Sequence, residues 1–86
     1  MGLPSTGRIR FVPPTNYNPA SPLPRGPQNG FVDRFGNEWV AGPSRTAGHP
    51  FEWDVQLSPT GREQIGWLSR DGRHVNVSPF GEVTHR

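Results

Sequence analysis

From Phe51 to Ser58 apolar and polar residues alternate without a break, FEWDVQLS. Alternation with a period of two marks a strand that has one buried face. It predicts that Phe51, Trp53, Val55 and Leu57 point into a core, while Glu52, Asp54, Gln56 and Ser58 share the opposite side. Two hairpins are predicted around this central strand. Phe31–Val40 folds back through Arg34-Phe35-Gly36-Asn37. Ile65–Ser69 and Arg73–Ser78 are joined by Asp71-Gly72, a dipeptide that closes two-residue turns. That register sets Arg70 opposite Arg73, Ser69 opposite His74, Leu68 opposite Val75 and Trp67 opposite Asn76. Between the hairpins, Ser58-Pro59 places a capping residue before a proline, which starts a helical turn through Gln64. Gly42–Pro50, rich in glycine and proline, reads as a loop. Pro79–Gly81 turns the chain, and Val83–His85 adds a short edge strand. The fold class is α+β and β-rich: a small twisted antiparallel sheet built from hairpins, with at most one or two short helical turns.

Composition divides the chain. Residues 1–30 hold seven of the eleven prolines. Proline lacks a backbone donor and favours extended conformations, so residues 1–29 read as a linker or arm and 30–86 as the folded domain. Ile9, Phe11, Val12, Tyr17 and Leu23 are the side chains able to dock that arm. At 86 residues the chain holds one folded domain at most. Cysteine is absent, so packing rather than disulfides must stabilise it, with three tryptophans and five phenylalanines supplying the area. No run of about 18 apolar residues is present, so no membrane insertion is expected, and export would be directed from outside this sequence.

The net charge of +2 conceals an asymmetry. Arg8, Arg10 and Arg25 lie among residues 1–30 without a single acid, whereas residues 31–86 carry six arginines against seven acids. Nucleic-acid affinity would therefore come from local clusters of arginine, not from a field over the whole domain. Lysine is absent. Arginine suits bidentate phosphate contacts and stacking on bases.

Three groups of residues carry candidate chemistry. On the central strand, Asp54 or Glu52 can accept a proton or orient a base, and Gln56 can read a base edge; the same three residues also suit a plain solvated face. In the predicted second hairpin, Arg70 and Arg73 stand side by side, with Asp71 or an RNA phosphate as the anion between them. Trp67 there is either a stacking surface for a base or, as the commoner arrangement, part of the core. Among the histidines, His49 precedes the central strand and His74 lies on a strand. Imidazole titrates near neutral pH and can serve as base or acid in RNA transesterification. The histidine spacing matches no metal signature, and no phosphate-binding glycine loop or nucleophile elbow is present, so no metal and no cofactor are expected.

The strings NPASPLPRGPQNGFVDRFGNEWV and GPSRTAGHPFEWDVQLSPTGREQIGWLSRDGRHVNVS resemble the polymorphic toxin type seventeen domain. The resemblance covers roughly Asn18 to His85. It implies a C-terminal domain of a large secreted bacterial toxin, with ribonuclease activity, and makes the proline-rich arm the junction to a delivery protein. A shorter likeness, EWDVQ at Glu52–Gln56 followed by DGRH at Asp71–His74, is similar to the anticodon-cleaving colicin domain. That family cuts transfer RNA without a metal, largely through lysine and arginine. In a lysine-free chain Arg34, Arg45 or His49 would take those roles.

Together these readings describe a metal-independent endoribonuclease toxin, acting on transfer RNA in the target-cell cytoplasm by 2′-hydroxyl attack to a cyclic phosphate. The catalytic candidates are Arg45, His49, Asp54, Arg70 and His74. The RNA-contacting candidates are Arg34, Trp39, Glu52, Gln56, Arg62, Trp67, Asp71 and Arg73. The expected partners are RNA, an acidic immunity protein and the larger toxin. The alternatives are a toxin of another class, such as a deoxyribonuclease or nucleotide-modifying enzyme, and a non-catalytic β-rich binding module.

Overall fold

The computed structural model describes residues 2–43, 47–48 and 51–85. Among the described residues, five strands run antiparallel in chain order: β1 (Phe31–Val32), β2 (Glu38–Pro43), β3 (Phe51–Gln56), β4 (His74–Val77) and β5 (Val83–His85). A helix, α1 (Pro59–Ile65), and a 3-10 turn (Gly66–Leu68) connect β3 to β4. The β-rich α+β class holds, with β3 in the middle of the sheet.

The alternation of β3 is realised. Trp53, Val55 and Leu57 are buried, and their cross-strand partners carry the same apolar face outward: Trp39 opposite Val55 on β2, and Val75 and Val77 opposite Val55 and Trp53 on β4. Aromatic rings meet edge to face through this layer. Trp39 lies 6.3 Å from Trp53, and Phe51 5.5 Å from Trp53.

The proline-rich stretch covers that apolar face. Ile9, Phe11 and Leu23 belong to the same buried cluster as the strand residues, and Tyr17 packs against it. The core therefore spans the composition boundary near residue 29. Besides bonds within itself, the segment exchanges hydrogen bonds with the rest of the domain. Ile9 N donates to Gly81 O at 2.8 Å, Arg34 N to Val12 O at 2.8 Å, and the Trp53 indole to Gly2 O at 3.0 Å. Gly7, at φ +89°, lies so close to the Phe80 carbonyl that any Cβ would collide with it. Periodicity could not reveal this docking, because isolated apolar residues between prolines follow neither the helix nor the strand period.

The first predicted hairpin, turning at Arg34–Asn37, pairs as expected, with Phe31 opposite Trp39. The helix start at Ser58-Pro59 is also present. The Ser58 hydroxyl accepts from Gly61 N at 3.0 Å and donates to Phe35 O at 2.6 Å, fixing α1 to the β1–β2 turn. Gly61 allows that approach, since a Cβ there would strike the Asn37 amide oxygen.

The second predicted hairpin does not form. Residues 65–68 are the end of α1 and the 3-10 turn, and β4 pairs with β3 and β5 instead. Arg70 and Arg73 are not strand partners, nor are Trp67 and Asn76. Asp71-Gly72 does turn, with Gly72 at φ +72°, but it ends a helical connection instead of joining two strands. Once Ser58 has capped a helix, propagation through residue 65 removes the strand that the turn was expected to pair.

Candidate active site

The polar side of β3 lies at the centre of a sheet face that gathers side chains from four strands. One cross-strand row runs Glu38, Gln56, His74; the next runs Val40, Asp54, Asn76. Glu38 is engaged elsewhere: one carboxylate oxygen accepts from Gln28 N and Gly30 N, both at 2.8 Å, which closes one flank of the face. On the other flank, β5 shifts register between Asn76 and Val77, leaving Thr84 as the extra residue. Its hydroxyl donates to Glu52 at 2.7 Å. Glu52 is buried at 6% exposure, so it supports the face more than it meets a ligand.

Asp54 occupies the middle. Gln56 Nε2 donates to its Oδ1 at 2.9 Å. Burial pushes the Asp54 carboxyl above its ordinary value of 3.8; the neighbouring His74 and the Gln56 hydrogen bond oppose that shift without cancelling it. His74 stands diagonally from Asp54, across Gln56, a relation that separates the two by roughly 7–8 Å.

His74 is held from the other side. Its Nδ1 lies 3.1 Å from Asp71 Oδ2. Asp71 Oδ1 accepts from Arg73 N and the Ser69 hydroxyl, both at 2.8 Å, and from His74 N at 3.3 Å. Hydrogen bonds to Arg73 N and then Ser69 hold the Asp71 carboxyl well below the usual carboxylate range. An ionised Asp71 can only accept, so Nδ1 carries a proton, and whenever the ring is neutral its lone pair is at Nε2. One carboxylate thus shapes the Ser69–Arg73 loop and fixes the tautomer of the histidine that follows it.

The other candidates fall into three groups. Arg62, Arg70 and Arg73 are exposed, Arg62 on α1 and the other two in the loop before His74. Arg34, also exposed, donates from Nε to Pro13 O at 3.1 Å. Trp39 is 1% exposed with its indole hydrogen-bonded to Asp33, so it is a core residue and offers no face to a base. Trp67 reverses the commoner expectation: at 65% exposure it stands outside the core, while its neighbour Leu68 is buried. Arg45 and His49 lie outside the described residues. Sequence reasoning missed Thr84 and Ser69. Ser69 was signalled by its spacing two residues before Asp71, the pattern of a side-chain-closed turn. Among the described residues, no cluster of three histidine or carboxylate side chains is placed to hold a metal ion.

A family model described as Novel toxin 17 matches residues 1–85. The chain belongs to that family. No curated protein and no solved structure matches it. The Novel toxin 17 match begins within the proline-rich stretch and runs through β5, in keeping with a core that includes both. A Novel toxin 17 domain is a polymorphic toxin domain, carried at the C-terminus of a larger secreted toxin and countered by an immunity protein. Among the described residues, no helix is long and apolar enough to cross a membrane.

The raised Asp54 carboxyl gives this Novel toxin 17 domain a pH signature. Between 3.8 and the higher folded value, the native state binds more protons than the unfolded chain, so stability falls as pH rises through that window. Asp54→Asn removes the charge and keeps an acceptor for Gln56. The variant is expected to be at least as stable as the parent at neutral pH, with a flatter stability profile across that window. Denaturant titrations at several pH values read this; a variant markedly less stable at pH 7 would contradict it.

Proposed function

We propose that this toxin domain is an endoribonuclease that cleaves by transesterification, with His74 as general base and Asp54 as general acid. The supporting observation is the pairing of an Asp71-bonded imidazole with a half-buried carboxyl, raised by burial, on one sheet face. An imidazole and a carboxyl raised by burial, set on one face, suit acid–base catalysis.

The chemistry follows from the atoms. His74 Nε2 takes the proton of a ribose 2′-hydroxyl, whose oxygen attacks the adjacent phosphorus. The bond from phosphorus to the 5′-oxygen breaks, and Asp54 delivers a proton to that leaving oxygen. The products are a 2′,3′-cyclic phosphate and a 5′-hydroxyl end. Arg70, from the loop that Asp71 organises, stabilises charge on the phosphorane oxygens. Gln56, between the two groups, orients Asp54. The proton transfers need no metal ion. The likeness of EWDVQ and DGRH to the anticodon-cleaving colicin domain supports transfer RNA as substrate and the target-cell cytoplasm as the place of action.

Transfer RNA incubated with the protein in excess EDTA is expected to yield fragments ending in cyclic phosphate. A strict requirement for a divalent ion would refute the mechanism. Loss of chromosomal DNA in intoxicated cells, with transfer RNA intact, would replace it with a deoxyribonuclease. The immunity protein is proposed to present an acidic surface to Arg70 and Arg45; a pull-down indifferent to substitution of both would count against this.

A further inference from the structure

Large apolar side chains standing singly on a surface are ordinary. Trp67 differs in what surrounds it. The guanidinium of Arg8, from the docked N-terminal segment, lies over the indole, 5.2 Å from the ring centroid. That leaves Trp67 65% exposed yet braced on one side. Gly66, the residue before it, is the point where α1 meets the catalytic loop: a Cβ there would lie 3.7 Å from both Arg62 Cβ and Gly72 O. Arg62 and the Ser69–Arg73 loop therefore pack near the backbone that carries Trp67, and the loop leads directly into His74.

Four arginines of this region, Arg8, Arg62, Arg70 and Arg73, stand against two acids, Glu63 and Asp71. No acid lies among residues 1–30, and among the described residues the ion pair within 4.0 Å is Asp71–His74, so Arg8, Arg62, Arg70 and Arg73 carry no carboxylate partner. Guanidinium groups around an open, braced indole complement a flexible polyanion that carries flat rings. An apolar helix would leave the arginines desolvated, and a duplex would not release a base to the indole.

We propose that Trp67, braced by Arg8, is a nucleobase-stacking platform that holds single-stranded RNA beside His74, with Arg62, Arg70 and Arg73 on its phosphates. The choice of RNA as ligand rests on the ribonuclease reading above; the platform itself rests on the Trp67 surroundings. Base–aromatic stacking is tolerant of sequence, so the platform gives affinity, and selection of the cleaved bond falls to the sheet face.

The test uses the full chain carrying His74→Ala, so that RNA survives, and a short labelled single-stranded oligoribonucleotide. Adding Trp67→Ala is expected to weaken binding roughly 10- to 100-fold. Trp67→Phe recovers most of it, and unchanged thermal unfolding of both variants excludes a folding defect. Arg70→Gln lowers the slope of log affinity against log salt by about 0.7, the loss of one single-strand phosphate contact. Binding that ignores Trp67→Ala overturns the platform. So does a variant that keeps RNA affinity but loses the immunity protein, which makes the patch a protein dock. If Trp67-dependent binding is seen but the parent cleaves no RNA, the ribonuclease reading falls and the platform stands. If cleavage depends on His74 while binding ignores Trp67, the reverse holds.

Discussion

His74→Ala is expected to slow RNA cleavage by about 10²- to 10⁴-fold, the usual contribution of a positioned acid or base, while leaving thermal stability nearly unchanged. The two halves of that expectation have separate grounds. The imidazole is partly exposed on a strand face, its Nδ1 bonded to Asp71, and contributes nothing to the buried cluster. Its loss therefore removes a proton acceptor and little packing. The pH–rate profile should lose one limb in His74→Ala and the other in Asp54→Asn. Asp71→Asn is expected to fall between the parent and His74→Ala, because the amide can still accept from the loop but no longer balances a charged imidazole. A depressed Asp71 also makes a pH statement. Its contribution to the loop is present above the ordinary carboxylate value of 3.8 and is lost as pH falls through the lower folded value. A His74→Ala protein that cleaves RNA at the parental rate would remove the proposed mechanism at once.

Local pattern made the centre of this site legible and hid its edges. The alternation FEWDVQ fixed which side chains of β3 share a face, and a proline behind a serine fixed where α1 begins. Both signals act within a few residues and need no partner. Asp71-Gly72 misled because turn chemistry specifies a reversal, not the elements on either side of it. The same carboxylate that suggested a hairpin is consumed by Ser69, Arg73 and His74. The docking of residues 2–30 was illegible for another reason. Ile9, Phe11 and Leu23 are buried by long-range contacts with strands that follow them, and proline spacing masks any period. Trp39, expected to contact RNA, lies in the core, whereas Trp67, for which a stacking and a core position were both open, is exposed. Strand position and the carboxylate of Asp33, six residues earlier, hold Trp39 in the core, whereas at the 3-10 turn Leu68 is buried and Trp67 exposed.

Asp33→Ala is expected to cost about 3–5 kcal/mol, several times a typical single substitution. Asp33 is 4% exposed, and both of its oxygens are occupied. Oδ1 accepts from Phe35 N and Asn37 N, both at 2.9 Å; Oδ2 accepts from Asn37 Nδ2 at 3.1 Å and the Trp39 indole at 3.0 Å. Alanine leaves the indole N–H of a tryptophan that is 1% exposed without an acceptor, along with donors of the β1–β2 turn. Each buried unsatisfied donor costs about 1–3 kcal/mol. A domain of this size has a net stability of only about 5–15 kcal/mol, so its midpoint should fall by roughly 15–30 °C. The damage is not confined to the turn. Asn37, held by Asp33, accepts from Ser58 N at 2.9 Å, and Ser58 caps the helix that leads to the Ser69–Arg73 loop. Asp33→Asn should lose less, since one oxygen still serves the two backbone donors while an amide replaces the other. Ser58→Ala alone should cost about 1 kcal/mol, and in the Asp33→Ala background measurably less, because the cap's support has already gone. Thermal unfolding of the four proteins in that cycle decides the matter. Additive losses would show that the turn and the helix cap are independent, and a loss below about 1 kcal/mol for Asp33→Ala would show that this carboxylate is not what holds Trp39 in place.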